Sequence, residues 1–599
     1  MQKVKMLGLL LFLLGFCIFL FSFSIGSYRL TKEIVESKIN DEKKLDLFIT
    51  HGESLLGVTY TSSFSFISDL TRIFESVNQV QIERYGINSN DIEMILANTK
   101  DNPVVFSLDA IDKTFDGSAE TSAFKAETFK DYGGWLDGSQ FDSKDDLRSS
   151  IEGTVESIKK YGIINQVGFD RYQVKDLKFS LSKSATLGPI RDNPTLFLWL
   201  TYALCILGGL LYILPKKQLE GPRGIKNNNI FFKAMHNRGW LGIMTGSFLI
   251  VFYIFLYFYP EYMTPWIITV DPISEMLNGG EAGRFFLYGF IYTLCILIMG
   301  VRMMIKYRYS KYQLIRTASV MFFQTAFAFL IPEILIRLNK PYFDFKNIWP
   351  LDYDFFFDSE LSKLIDSGGL GIFMLGWGIG LIIIGVPVFV YFFGKRWYCS
   401  WVCGCGGLAE TLGDPYRQLS DKSLKAWKVE RWMIHGVLAF AVLMTAAVLY
   451  TYWTGNSTLL GFINSYQIRE IYGVYIGAGF AGVVGTGFYP IMGNRVWCRF
   501  GCPLAAYLGF IQRFKSRFRI TTNGGQCISC GNCSTYCEMG IDVRWYAQRG
   551  QNIVRSSCVG CGVCSAVCPR GVLNLENGPE EGRFGKPILL GNDSFKVKT

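Results

Sequence analysis

Eight runs, each close to twenty residues long and nearly free of charge, limit what this chain can fold into more than anything else in it. They lie at 6–25 and at about 195–214, 240–259, 284–301, 316–337, 370–393, 433–453 and 471–492. A hydrocarbon core of about 30 Å takes about 20 helical residues to cross, and inside lipid a helix satisfies its own backbone polar groups. The runs therefore predict a mainly α membrane protein with about eight transmembrane helices. Composition agrees, since half of the 599 residues are hydrophobic and 18% are charged, against about 25% in an ordinary soluble chain. The net charge of +10 does not call for nucleic acid, because cytoplasmic loops of membrane proteins gather Lys and Arg.

Loop charge gives an orientation. The first run follows Lys3 and Lys5 and is longer than the 7–15-residue core of a cleaved signal, so it reads as an uncleaved anchor. With the N-terminus inside, loops 215–239, 302–315 and 394–432 fall in the cytoplasm, and these are the basic ones. The opposite loops carry Glu261, Asp271, Glu275 and Glu281, and Asp352, Asp354, Asp358 and Glu360. Residues 28–194, of soluble composition and without cysteine, then form an extracytoplasmic α+β domain. Of 16 cysteines, 13 follow residue 398, as suits thiols kept reduced in a cytoplasm. Cys17, Cys205 and Cys295 sit in apolar runs and read as small core residues.

The cysteines from Cys527 to Cys568 carry the clearest chemistry. They fall in two copies of C-x2-C-x2-C-x3-C, the second ending in Pro569, which is the spacing of a bacterial ferredoxin with two [4Fe-4S] clusters. In such a run three thiols hold one cluster and the fourth crosses to the other. That assigns Cys527, Cys530, Cys533 and Cys568 to the first cluster, and Cys558, Cys561, Cys564 and Cys537 to the second. Gly531, Gly560 and Gly562 leave room for backbone amides to approach. Structural zinc favours two spaced pairs, and a disulfide framework belongs to small secreted domains.

A second thiol pattern follows two of the runs. K-R-W-Y-C-S-W-V-C-G-C-G-G-L-A-E-T-L-G holds Cys399, Cys403 and Cys405, and N-R-V-W-C-R-F-G-C-P-L-A-A-Y-L-G holds Cys498 and Cys502. On a helix, residues i and i+4 share a face, so each pair presents two thiols to a common partner. Cys399, Cys403, Cys498 and Cys502 are a candidate third Fe–S or metal site, with Cys405 a spare or a substitute. Redox-active dithiols and unligated packed cysteines are the other readings.

Membrane runs, C-x3-C words and paired ferredoxin runs on one side resemble the NosR/NapH/CcoG-type polyferredoxin group of bacterial membrane proteins, strongly over roughly 370–570. The outside domain and the later spans are closest to the NosR-like arrangement. The resemblance implies an inner-membrane protein that passes electrons between cytoplasmic or quinol donors and a membrane or periplasmic acceptor, supporting a respiratory reductase. It implies redox protein partners and an electron-transfer component rather than a stand-alone enzyme. A maturation factor for a metalloenzyme and a membrane redox sensor are the alternatives. Three departures stand out. Lys183–Gly188 (KSATLG) is only an echo of the flavin-attachment motif, so flavin is not expected. Gly404 replaces the proline that usually follows the second thiol. The stretch after Cys568 does not provide the immunoglobulin-like tail of the CcoG branch.

The remaining polar candidates are few. With only His51, His236 and His435, a midplane bis-histidine haem is disfavoured. Glu333, one turn from Arg337, and Gln324 lie in an apolar run, and intramembrane ionisable groups default to functional candidates. Together they are a candidate quinone or proton site, with a Glu333–Arg337 ion pair as the structural alternative. The basic and aromatic stretch Arg513–Arg519 suits anionic headgroups. The expected domains are an anchor at 6–25, the outside domain at 28–194, the membrane part at 195–512, a ferredoxin module at 513–575 and a tail at 576–599.

Overall fold

The computed structural model describes the chain except residues 98, 102–103, 109–110, 112–113, 116, 220–238, 455–457, 460–462, 524–525, 579–587, 591–594 and 598–599. Among the described residues six helices are long and apolar enough to cross a membrane: Gln2–Ser22, Pro194–Ile213, Arg284–Lys306, Lys311–Arg337, Gly369–Phe393 and Leu424–Thr454. Gly242–Phe258 and Pro260–Ile268, bent by 112°, make a seventh if they form one span. The chain is a multi-pass membrane protein. The run expected at 471–492 is not among these spans. It winds as a π-helix over Tyr472–Val484 and ends in the short turns Gly485–Gly487 and Tyr489–Met492. Glycines take the place of apolar side chains there, because neighbours come too close: a Cβ on Gly482 would lie 2.4 Å from the Tyr257 ring.

Gln2–Ser22 and Pro194–Ile213 form an antiparallel pair, Gly8 against Gly208 and Gly15 against Thr201. A Cβ on Gly208 would stand 2.4 Å from the Phe12 nitrogen. Small residues permit this close approach, which in lipid replaces the hydrophobic drive to associate. The pair brings both ends of the intervening domain together, where strand Ser27–Arg29 bonds to Thr59–Tyr60 on one side and Thr186–Leu187 on the other. That domain is chiefly helical. Ser63–Tyr85, Ala119–Gly133, Lys144–Ser157 and Arg171–Ala185 enclose two cores, one around Phe48, Phe66 and Phe74, the other around Phe106, Phe129 and Ile151. Its two sheets have three strands each, none longer than three residues, so strand contributes less than expected. Asp170 and Ser143 cap their helices by accepting backbone N–H groups, as residues of this type do.

The Lys183–Gly188 stretch joins this domain to the membrane part. Buried Lys183 donates to Asp271 Oδ1 and to the Ala282 carbonyl, both at 2.8 Å. Buried Thr186 donates to the Ser182 carbonyl at 2.7 Å.

The loop before Gly369–Phe393 departs from a simple surface connection. Trp377 Nε1 donates to the Phe345 carbonyl (2.9 Å) and Trp349 Nε1 to Thr445 Oγ1 (3.0 Å). Trp377 lies eight residues into its helix, about 12 Å at 1.5 Å per residue. Phe343, Ile348 and Phe355 are buried. The loop folds back among the helices, and its aromatic content was the signal for this in the sequence.

Candidate functional site

The two ferredoxin runs fold as backbone copies of one another. Ser529 and Gly560 have φ of +60° and +62°, and Gly531 and Gly562 have +78° and +75°. Left-handed residues of this kind turn successive N–H groups into an anion-binding concavity. A single turn follows in each copy, Asn532–Thr535 and Val563–Ala566. The strands Phe518–Thr522 and Leu573–Asn577 pair antiparallel and close the module. Cys527, Cys530, Cys533 and Cys568 line one small pocket. Burial, then the Cys568 thiol, with Cys530 and Cys527 behind it, pushes the Cys533 thiol up to about 12. Burial, then Cys561, Cys558, Cys537 and Cys533, pushes Cys564 well above the ordinary range. The four thiols that spacing assigns to the first cluster thus line one pocket.

The C-x3-C pairs also meet, but not on single helices. Cys399 ends the turn Arg396–Cys399, while Cys403 caps the next helix, Gly404–Thr411, in extended conformation. Cys498 lies in Trp497–Gly501, and Cys502 caps Pro503–Lys515, its Sγ accepting from Ala505 N at 3.4 Å. The helix breaks between the two thiols in both copies, which corrects the one-face expectation. All four are buried and share one core with Cys533, Cys558 and Cys564. Burial, then Cys498, Cys403 and Cys399, raises the Cys502 thiol well above its usual value. Cys405 is exposed, and its thiol donates a hydrogen bond that draws Cys403 down to about 6. The missing proline at position 404 has a steric cause: a Cβ there would already lie 2.8 Å from Tyr292 Oη and 3.0 Å from Gln324 Oε1.

A buried charge network, which sequence reasoning missed, links this thiol set to the second ferredoxin set. Glu410 Oε1 bonds Arg316 Nη1 (2.6 Å) and Arg495 Nη2 (2.7 Å), and its Oε2 bonds Arg417 Nη2 (2.7 Å). Glu538, next to Cys537, bonds Arg417 (2.8 Å) and Arg495 (3.1 Å). Arg495 Nη1 donates to Cys498 Sγ (3.6 Å) and to the Cys399 carbonyl (3.2 Å). Arg417 Nη1 reaches Cys561 Sγ at 3.8 Å. Lys306 and Asp414 extend the network (2.7 Å). Burial alone would raise the Glu410 carboxyl, but Arg316, Arg417 and Arg495 hold it well below the usual carboxylate range. Burial raises Glu538 against the pull of Arg417 and Arg495. Four buried cations (Lys306, Arg316, Arg417, Arg495) thus face three buried carboxyl groups (Glu410, Asp414, Glu538), and Arg495 Nε and Arg316 Nε lack an acceptor among the described residues. Surplus positive charge beside Cys498 and Cys561 fits thiolate-bound clusters, whose potentials respond to charge and to hydrogen bonds on sulfur. The clue in the sequence was charge inside the cysteine words: Arg495 before Cys498, Glu538 after Cys537, and Glu410 in the Leu-Ala-Glu of the first repeat.

The second ferredoxin run is bonded directly to the membrane part. Tyr312 Oη donates to the Gly560 carbonyl (2.7 Å), Gln313 Nε2 to the Cys561 carbonyl (2.8 Å) and Ser400 Oγ to the Val559 carbonyl (2.7 Å). Ser400 follows Cys399 and Val559 follows Cys558, so this last bond joins one thiol set to the other.

The candidate quinone pair is not one site. Gln324 is buried, accepting from Tyr292 Oη at 3.1 Å and donating to the Val402 carbonyl at 2.5 Å, where it supports the Cys403 loop. Glu333, nine residues further on, accepts from Asn278 Nδ2 at 2.6 Å. Arg337 turns instead to the carbonyls of Glu275 and Met276, so the Glu333–Arg337 ion pair does not form. His51 bonds Ser76, His435 is exposed, and His236 lies outside the described residues. Of the basic stretch, Arg513, Lys515 and Arg517 are exposed, whereas Phe518 and Arg519 are buried in the module's sheet.

Comparison with known proteins agrees with this layout. A family model described as a 4Fe-4S binding domain matches residues 377–423 and again 474–521, one match over each C-x3-C word. A model described as a 4Fe-4S dicluster domain matches 526–573. The chain therefore carries 4Fe-4S ferredoxin-type domains in a membrane-spanning frame. It is similar to the putative electron transport protein YccM of Escherichia coli (strain K12), 27% identical over 157 residues, 25% of this chain and 43% of that protein. It is also similar to the methylamine utilization ferredoxin-type protein MauN of Paracoccus denitrificans (strain Pd 1222), 27% identical over 166 residues, 26% and 53% of the two. The chain spans about half the length of the curated relatives it matches. No solved structure matches it. These relatives speak for membrane polyferredoxins at large.

Proposed function

We propose that this protein is an iron–sulfur electron carrier of a bacterial inner membrane with three [4Fe-4S] sites in series. Cys527, Cys530, Cys533 and Cys568 would hold the first, Cys558, Cys561, Cys564 and Cys537 the second, and Cys399, Cys403, Cys498 and Cys502 the third. Each cluster, when bound, takes up or gives up one electron at a time; the protein positions and tunes it. The observation that carries the reading is the direct bonding of the C-x3-C thiol set to the second ferredoxin set, through Ser400–Val559 and the Arg495–Glu410–Arg417 bridge. Burial increases along the series: Cys530 is exposed, Cys558 and Cys564 are buried, and all four C-x3-C thiols are buried. Electrons enter or leave at the exposed end and reach the membrane interior at the other. The residues 28–194 stand on the far side of the bilayer, and the loop at 338–357 folds down toward the third set, so an acceptor or donor on that side completes the route. Support of a respiratory reductase, in a NosR-like arrangement, is the physiological setting we favour.

Proteoliposomes test the route. With a reductant outside and an electron acceptor sealed inside, vesicles carrying the parent protein should reduce the acceptor, and vesicles carrying Cys498→Ala with Cys502→Ala should reduce it at the empty-vesicle rate. Equal rates for the parent and this variant would overturn the series arrangement.

A further inference from the structure

The first ferredoxin set lines a pocket at an exposed edge of its module. The second run is fastened to Tyr312, Gln313, Ser400 and Arg417. The serines of the first run bond within the module, Ser529 with Gln548 and Ser534 with Asp542, while Tyr536 near its end packs on Met303 and Tyr307. Cys530 and Ile528 are exposed there, Ile528 by 54%. Arg544 and Arg570 line the same pocket as Cys527, Cys530, Cys533 and Cys568. Arg549 stacks on exposed Trp545, 3.9 Å from the ring centre. All three arginines are exposed. The fourth arginine between Gln526 and Leu573, Arg555, faces the other way, against Trp427 of the membrane part (4.8 Å).

Between Gln526 and Leu573 no exposed acidic group among the described residues offsets this charge. Between Gln526 and Leu573 the carboxyl groups are Glu538 and Asp542. Glu538 is buried in the arginine network, and Asp542 is half-buried and accepts from Ser534. The exposed edge of the first thiol set therefore carries Ile528 beside Arg544 and Arg570, with Trp545 and Arg549 exposed on and just after the short helix that carries Arg544. Interfaces with an apolar centre and a charged rim dock partners of opposite charge, and the rim sets the encounter rate.

We propose that this face is the docking site of a small, soluble, acidic one-electron carrier protein. A lipid surface fits the same charge but not the position, since the module meets the membrane part through its second run. The proposal rests on the function above. In each encounter the carrier's reduced cofactor is oxidised by one electron, and the group held by Cys527, Cys530, Cys533 and Cys568 is reduced by one. No bond forms and no proton need move.

The test uses the full-length protein in nanodiscs and follows cluster bleaching by stopped flow. The donors are flavodoxin hydroquinone, an acidic protein, and photoreduced deazaflavin, a small donor that needs no docking face. Steering by opposite charge falls steeply with salt, so the flavodoxin rate should drop about tenfold between low salt and about 0.3 M. In the combined variant Arg544→Glu, Arg549→Glu and Arg570→Glu, the ratio of the flavodoxin rate to the deazaflavin rate should fall about tenfold at low salt. A flavodoxin rate indifferent to salt and to the triple variant overturns the docking site. So does a rate governed by anionic nanodisc lipid, which would put the face on headgroups. Failure of deazaflavin to bleach any cluster overturns instead the function on which the proposal rests.

Discussion

Glu410→Gln should be among the most destabilising single substitutions in the chain. Its carboxylate pairs with Arg316, Arg417 and Arg495, none more than 1% exposed. Arg316 has its ion-pair partner in Glu410 alone among the described residues. Removing one member of a buried ion network leaves the others charged and without solvent, at a cost of about 3–5 kcal/mol. A lowered melting temperature of the detergent-solubilised protein measures this. Glu93→Gln, at the exposed Arg148–Glu93 pair, is the control and should cost about 0–1 kcal/mol. Adding Arg316→Met to Glu410→Gln removes one stranded guanidinium, so the double variant should regain part of the loss, a coupling that a double-mutant cycle reads directly. Equal melting temperatures for Glu410→Gln and the parent would contradict the network.

Cys502→Ala should remove one cluster and leave two. Cys502 caps Pro503–Lys515 with a buried thiol held among Cys399, Cys403 and Cys498. Losing one of four thiolates should cost the site its cluster, so bound iron should fall by about four per chain. The ferredoxin pair, in its own stretch from Cys527 to Cys568, should keep its EPR signals. Cys405→Ala discriminates between roles. Its thiol hydrogen-bonds Cys403 from outside the set, so this variant should keep the full iron content and alter only the third signal. Loss of iron in Cys405→Ala with retention in Cys502→Ala would exchange the two residues in the account.

Much of the site was legible because spacing is a local property. The ferredoxin runs specify their own loops, and the left-handed positions at Gly531, Gly560 and Gly562 are what a glycine there announces. The repeated C-x3-C words announced that four thiols belong together, but not how. The pairs sit at helix breaks, and a helix end depends on what packs over it, here Tyr292 and Gln324 against Gly404. The network around Glu410 was illegible for the same reason. Arg316, Glu410 with Arg417, Arg495 and Glu538 come from four separate stretches, and only tertiary packing joins them. In the membrane part, apolar length disclosed six spans. It did not disclose one at 471–492, where glycine replaces apolar side chains, nor the loop around Trp349 that folds back among helices. Gln324 and Glu333 looked like one polar site because they share a helix. Nine residues and a π-helical turn, Ala326–Leu330, separate them, and each has its own partner.

The central claim is that three thiol sets, not two, hold clusters. Iron counting with EPR of the reduced protein, purified without oxygen, tests it most directly. The account predicts about twelve iron atoms per chain and three reducible [4Fe-4S] signals. About eight iron atoms per chain, with the signals of two clusters only, would contradict it.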